Sequence, residues 1–272
     1  MSRIEETPDK TTGAREPSTP ETMSLDENVS MDALKKNNPR ILGFTMEDAP
    51  IAEEYRKLRS MILRMTKKNG NRNTIMMTST QSGEGKSLTA VNLALIMAQE
   101  FHHTVLLVDA DLRRPVIHRY LGLENGVGLV DCLVDGIDVG RALIKTVFPK
   151  LSVLTAGRQV NKPVELLSSN AMKSLVAELK NRYHDRYIII DTPPVLPFAE
   201  THALSSFVDE TIFVVKEGVA ADEVREALEI LKEHPPLGFV LNNASDQGTR
   251  GRNYRYYQYY NQKRDDDMAK KS

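Results

Sequence analysis

Apolar residues along this chain fall into two alternating patterns. Short runs such as Val105-Leu106-Leu107-Val108 and Ile188-Ile189-Ile190 are apolar at every position, as strands covered on both faces must be. Together with runs at 74–78, 151–154, 211–215 and 239–241, they predict six strands. Between most of them the apolar period lengthens to that of a helix, most clearly over 87–101, 171–183 and 222–232. The last of these carries Val224, Ala227, Leu228 and Leu231 as one stripe. Ahead of the first strand, Asp48-Ala49-Pro50 is a helix-start signal. The helix that follows, from Ile51 to about residue 68, is predicted to carry Leu58, Met61, Ile62 and Met65 on one apolar face. Strands alternating with helices predict the α/β class: a doubly wound, mainly parallel sheet with right-handed crossovers.

The pattern fades at both ends. Residues 1–45 are rich in Glu, Asp, Thr, Ser, Pro and Lys; they bury too little surface to offset ordering entropy and are predicted disordered. Residues 46–244 form the predicted folded domain. Residues 245–272 turn to Gly, Asn, Gln, Arg, Asp and Tyr and are predicted to be a flexible tail.

Composition narrows the function classes only a little. A formal net charge of −1 gives no general reason to expect a nucleic-acid partner. Cys132 stands alone and cannot form an internal disulfide, which points to a reducing cytoplasm. No stretch approaches the roughly 18 uncharged apolar residues of a membrane span. The longest apolar run, 88–98, is interrupted by Thr89 and Asn92 and reads as a buried helix. Any membrane role therefore needs a partner.

The candidate chemistry lies where strands end. Gly83-Glu84-Gly85-Lys86-Ser87-Leu88 follows the first strand and opens a helix, the context of a phosphate-binding loop. Its glycines admit backbone N–H groups to phosphate oxygens, and the helix N-terminus adds partial positive charge. Lys86 is placed to reach the β- and γ-phosphates and Ser87 to ligate Mg²⁺. The first glycine usual in such loops is Thr80 here. Two more apolar strands run into Asp109-Ala110-Asp111-Leu112-Arg113-Arg114-Pro115 and into Asp191-Thr192-Pro193-Pro194. A parallel sheet points every strand's carboxyl end to one edge, so Asp109, Asp111 and Asp191 should converge beside the loop as a site for a hard cation. The six histidines show no metal-ligand or triad spacing. Near the end, Tyr254, Tyr256, Tyr257, Tyr259 and Tyr260 put five of the nine tyrosines within seven residues. A nucleotide site and a cluster of phenols in one chain suggest transfer of phosphate to its own tail.

These stretches resemble the bacterial protein-tyrosine kinases, the BY-kinases, from about residue 50 to 243 and again in the tail. The resemblance implies a P-loop NTPase fold and an ATP- and Mg²⁺-dependent protein-tyrosine autokinase. Residues 83–88 would hold the nucleotide, and Ser87, Asp109 and Asp191 the metal. Lys86, Asp109, Asp111 and Asp191 would be catalytic, with the base either Asp109 or Asp111. The five tail tyrosines would accept phosphate. The family's assembly signature, Glu-x-x-Arg-x-x-Arg, is matched by Glu53, Arg56 and Arg59 on one helix face, which implies a homo-oligomeric ring. The resemblance also implies control of capsule or exopolysaccharide synthesis or export. It further implies a separate membrane adaptor of the chain-length-determinant type that recruits a stand-alone cytoplasmic kinase to the inner face of the membrane. A phosphotyrosine phosphatase would complete the cycle.

One departure and two alternatives stand beside that reading. Glu200 occupies the region where the family commonly shows an aspartate. Arg113-Arg114, within the matched motif, would pin nucleotide or a neighbouring subunit, or be a solvated surface pair. One alternative is a switch ATPase of the partition or septum-placing type. That group carries a lysine five residues before the P-loop lysine, where this chain has Gln81, so the departure favours the kinase. The other is nucleic-acid stacking by the tail, whose seven Lys/Arg against four Asp give +3 over 245–272; no nucleic-acid partner is expected.

Overall fold

The computed structural model describes residues 38, 40–41, 50–68, 72–100, 102–182 and 185–245. Helix α1 (Pro50–Lys68) leads into β1 (Thr74–Ser79), α2 (Lys86–Ala98) and β2 (Thr104–Asp109). Three short helices follow, α3 (Ile117–Leu121), α4 (Leu129–Asp135) and α5 (Val139–Ala142), then β3 (Ile144–Lys145) and β4 (Leu151–Leu154). The remainder is α6 (Pro163–Leu167), α7 (Asn170–Arg182), β5 (Arg186–Asp191), α8 (Glu200–Ser205), β6 (Glu210–Lys216), α9 (Ala221–Ile230) and β7 (Gly238–Asn242).

One seven-stranded sheet runs in the order β3-β4-β2-β5-β1-β6-β7. Every pairing is parallel except β3 with β4. Because strand side chains alternate between faces, each central strand feeds two cores. Ile75, Met77, Val105, Leu107, Tyr187 and Ile189 pack with α1, α2 and α3 on one face. Met76, Leu106, Val108, Ile188 and Ile190 pack with α4 to α8 on the other. Phe213, Ala227 and Leu231 anchor α9 against β6.

The six expected strands and four expected helices are all present, within a few residues of their expected ends. The additions are β3 and the short helices, which hold too few residues to show a period. Two expectations need correcting. Met61 is 51% exposed, because α1 buries the side centred on Ala52, Ile62 and Thr66. Ile41 is fully buried in the core beneath α1 and α2, and Arg40's carbonyl accepts from Asn92. The packed body thus reaches into the 1–45 segment, where the short apolar run around Ile41 and Leu42 is averaged away in a compositional reading. The rest of the two predicted tails lies outside the described residues, apart from Asn38 and Ser245, whose hydroxyl donates to Glu217 at 2.7 Å.

Candidate active site

Leaving β1, the chain turns back through 80–85 and enters α2. Gly83 and Gly85 have φ of 86° and 90°, the left-handed region open to glycine. At Gly85 a side chain is excluded twice over, since a Cβ would stand 2.0 Å from the Asn242 amide nitrogen. That amide donates to the Glu84 carbonyl at 2.8 Å, tying the loop to β7. The Glu84 carboxylate, 3% exposed, accepts from the backbone of Gln81 at 2.5 Å and of Lys216 at 3.0 Å. Glu84 therefore shapes the loop from within. Leu88 turns its side chain into the core. What the loop presents is backbone N–H at a helix N-terminus, the arrangement that receives phosphate.

Strand register brings the acids together. Asp109 and Asp191 end adjacent strands as direct partners, and Asp191 is paired on its other side with Met77 of β1. Lys86 folds across them: its ammonium donates to Asp111 at 2.7 Å and to the Ser87 hydroxyl at 3.1 Å, and lies 3.6 Å from Asp191. Asp111 also caps its own turn, accepting from Arg114 N–H at 3.1 Å. Asp109 accepts from the N–H groups of Val116 and Ile117 with one oxygen. Its second oxygen and both Asp191 oxygens are buried without a hydrogen-bond partner.

Such an arrangement shifts proton affinities. Burial, then the neighbouring Asp191, raises the Asp109 pKa. Burial also raises that of Asp191, with Lys86 opposing. Burial works against the Lys86 charge, yet Asp191 and Asp111 outweigh it and raise its pKa. Three carboxylates around one ammonium leave an excess of negative charge and three orphaned oxygens, a donor set suited to a hard divalent cation. Among the described residues no three acid, imidazole or thiolate groups close on one metal position by themselves.

Around this centre, Arg113 donates to Glu200 at 2.6 Å and lies 4.4 Å over the Phe198 ring. Gln81 donates to Glu223 at 3.0 Å, beside a cleft of about 370 Å³ between the P-loop and the start of α9. Farther off, Glu53 pairs with Arg56 along α1 at 3.2 Å. Arg59 leaves that pair and caps α2 instead, donating to the Ile96 carbonyl at 2.9 Å and pairing with Glu100 at 3.1 Å. Tyr254, Tyr256, Tyr257, Tyr259 and Tyr260 lie outside the described residues. Sequence reasoning missed Asn242 as the brace of Gly85; its signal was an Asn-Asn pair ending the last strand.

Residues 72–233 match the AAA domain family. The chain is 35% identical over 240 residues to the tyrosine-protein kinase YwqD of Bacillus subtilis, covering 85% of this chain and 97% of that one. It belongs to the bacterial tyrosine-protein kinases. As a kinase of this family it also superposes on the crystal structure of the chimerical protein CapA2B2, with TM-score 0.70 and 33% identity over 76% of this chain and 91% of that one. A septum site-determining protein MinD from Pyrococcus horikoshii, solved with Mg-ADP, shares the fold alone at 22% identity and TM-score 0.54, over 64% of this chain and 72% of that one. The P-loop NTPase-type fold of this tyrosine kinase implies nucleotide binding. No helix among the described residues is long and apolar enough to cross a membrane.

Proposed function

We propose that this tyrosine kinase uses ATP to phosphorylate its own C-terminal tyrosines, 254 to 260, and thereby regulates capsule or exopolysaccharide synthesis or export. One observation carries the reading: Lys86 of the P-loop meets Asp111 and Asp191, with Asp109 beside them, at a single buried point. Binding is the work of residues 83–88, with Lys86 exchanging Asp111 for phosphate. Mg²⁺, bound by Ser87, Asp109 and Asp191, would neutralise phosphate charge. The tyrosine oxygen attacks the γ-phosphorus, the bond to the β-phosphate oxygen breaks, and the phenolic proton passes to Asp109 or Asp111.

The tail begins at the sheet edge that holds the site, just past β7. Eleven residues from Asn243 to Tyr254 reach at most about 35–40 Å when extended, enough for its own site or a neighbour's. The partners proposed are further copies of this chain, assembled as a ring through Glu53, Arg56 and Arg59, and a membrane adaptor that raises activity and brings the kinase to the inner face of the membrane. A phosphatase restores the tyrosines. Gln81 supports kinase over switch ATPase, because it stands where the switch ATPases carry their signature lysine.

Incubation with γ-labelled ATP, with and without an adaptor's cytoplasmic segment, tests this. Phosphotyrosine on 254–260, increased by the adaptor, is expected. ATP hydrolysis without phosphotyrosine would favour the switch ATPase, and label on serine or threonine would contradict the reading.

A further inference from the structure

Among the described residues, Glu200 is the one buried acid near the site to which the kinase reading gives no work. It is fully buried, and its carboxylate meets Arg113 with one oxygen while the other has no hydrogen-bond partner. An ionised or hydrogen-bonding group at such depth is costly unless its partner matters. Arg113 is the outer half of the pair, with its side chain 37% exposed, flattened on Phe198.

Where the two residues sit decides the matter. Arg113 lies two positions past Asp111, in the turn that presents Asp111 to Lys86. Glu200 opens α8, at the far end of the loop that begins with Asp191. Its neighbour Thr201 donates to the Pro193 carbonyl at 2.5 Å, and Thr78 at the end of β1 donates to the same carbonyl at 3.0 Å. The first turn of α8 thus holds the loop after β5 through Thr201 and the loop after β2 through Glu200. Each loop starts with a site acid.

We infer that Glu200 is a positioning residue, clamping the 110–114 turn to the 192–199 loop through Arg113 and so fixing Asp111 relative to Asp191. The inference rests on the reading of those acids as the phosphotransfer site. Glu200 touches neither nucleotide nor tyrosine; it acts through Arg113. The P-loop, braced separately by Glu84 and Asn242, keeps its grip on ATP without the clamp.

The test uses the full chain with Glu200→Gln, Arg113→Met and the double variant. Glu200→Gln should lower kcat for autophosphorylation about 10- to 100-fold, the usual cost of losing an outer support, with KM for ATP unchanged. In nucleotide-free protein, amide hydrogen exchange should quicken in residues 110–114 and stay unchanged in 80–88. Arg113→Met, altered from the solvent side, should reproduce both effects, and the double variant should be no worse than either single one. Wild-type exchange at 110–114, additive losses, or a kcat loss matched by a rise in KM would each overturn the clamp. Should wild-type protein itself fail to label tyrosine, the kinase reading of the site falls, while the exchange measurement still decides the clamp.

Discussion

The two ends of the parallel sheet treat the same residue type in opposite ways. At the amino end, Asp209 accepts from the N–H groups of Asn73 and Thr74 at 3.1 Å, from the Thr74 hydroxyl at 2.7 Å, and from Lys180. Its pKa is lowered: burial raises it, but the bonds from Lys180 and Thr74 prevail. At the carboxyl end, Asp109 and Asp191 are enclosed with orphaned oxygens and raised pKa values. One end spends its carboxylate on holding strands together. The other keeps oxygens unsatisfied, at a cost in stability, for a ligand that arrives later. On the proposed reading, Asp209 serves the scaffold, and Asp109 and Asp191 serve the chemistry.

The largest expected effect comes from Lys86, the cation at the centre of the strained end. Lys86→Met should cut autophosphorylation by at least about 100-fold, the scale of losing one preorganised charge donor. From sequence alone Lys86 reads as a pure ligand contact, yet it is 8% exposed and ion-paired. Removing it strands the acids, so the variant should also lose about 3 kcal/mol near pH 8 and less near pH 5, read by denaturant titration. Wild-type labelling would sink the site. An unchanged pH profile of stability would sink the electrostatic account.

A smaller effect separates the two loop glycines. Gly85→Ala meets both a left-handed φ and the Asn242 amide, whereas Gly83→Ala meets only the φ, with nothing within 4 Å. Nucleotide affinity should therefore fall further in Gly85→Ala, by about 10-fold or more for each 1.4 kcal/mol of strain and lost bonding. Equal affinities by fluorescent-nucleotide titration would show that Asn242 does not brace the loop.

The smallest effect on the site is expected far from it. Arg56→Ala should leave the P-loop intact and reduce the mass of the dephosphorylated assembly in light scattering. Arg59→Ala should in addition lose about 1 kcal/mol, because Arg59 caps α2. Five phosphotyrosines would add about −7 to −10 of charge to the tail, so phosphorylation should release the ring as well. Identical masses throughout would reject the ring and leave the kinase standing.

How legible these differences were in the sequence depends on their range. The central strands were plain because runs such as Val105 to Val108 are apolar on both faces, and the candidate site acids were plain because Asp109 and Asp191 each end such a run and Asp111 follows two residues on. Asp109, Asp111 and Asp191 could be placed at one edge from topology alone. Orphaned oxygens could not, since they depend on which side chains across the sheet fail to arrive. Asp209 carries no motif: its partners Asn73 and Lys180 come from distant parts of the chain. The Arg113–Glu200 pair spans 87 positions, and Arg59 fits an assembly motif by spacing while its side chain turns to α2.

The division between the two ends also fixes the sign of their pH dependence. A lowered pKa, as at Asp209, gives stability that is present above the ordinary carboxylate range and lost as pH falls through the folded value. A raised pKa, as at Asp109 and Asp191, gives stability that is lost as pH rises out of that range towards the folded value. In chelator, without nucleotide, the wild-type chain should therefore be less stable at pH 8 than at pH 6.

The most direct measurement compares Asp191→Asn with Asp209→Asn, each assayed for autophosphorylation and for unfolding free energy in chelator at pH 8. The account predicts a crossing. Asp191→Asn should be kinase-dead yet as stable as wild type or more so, while Asp209→Asn should label normally and lose about 1–3 kcal/mol. An Asp191→Asn protein that is active, or one destabilised as much as Asp209→Asn, would contradict it.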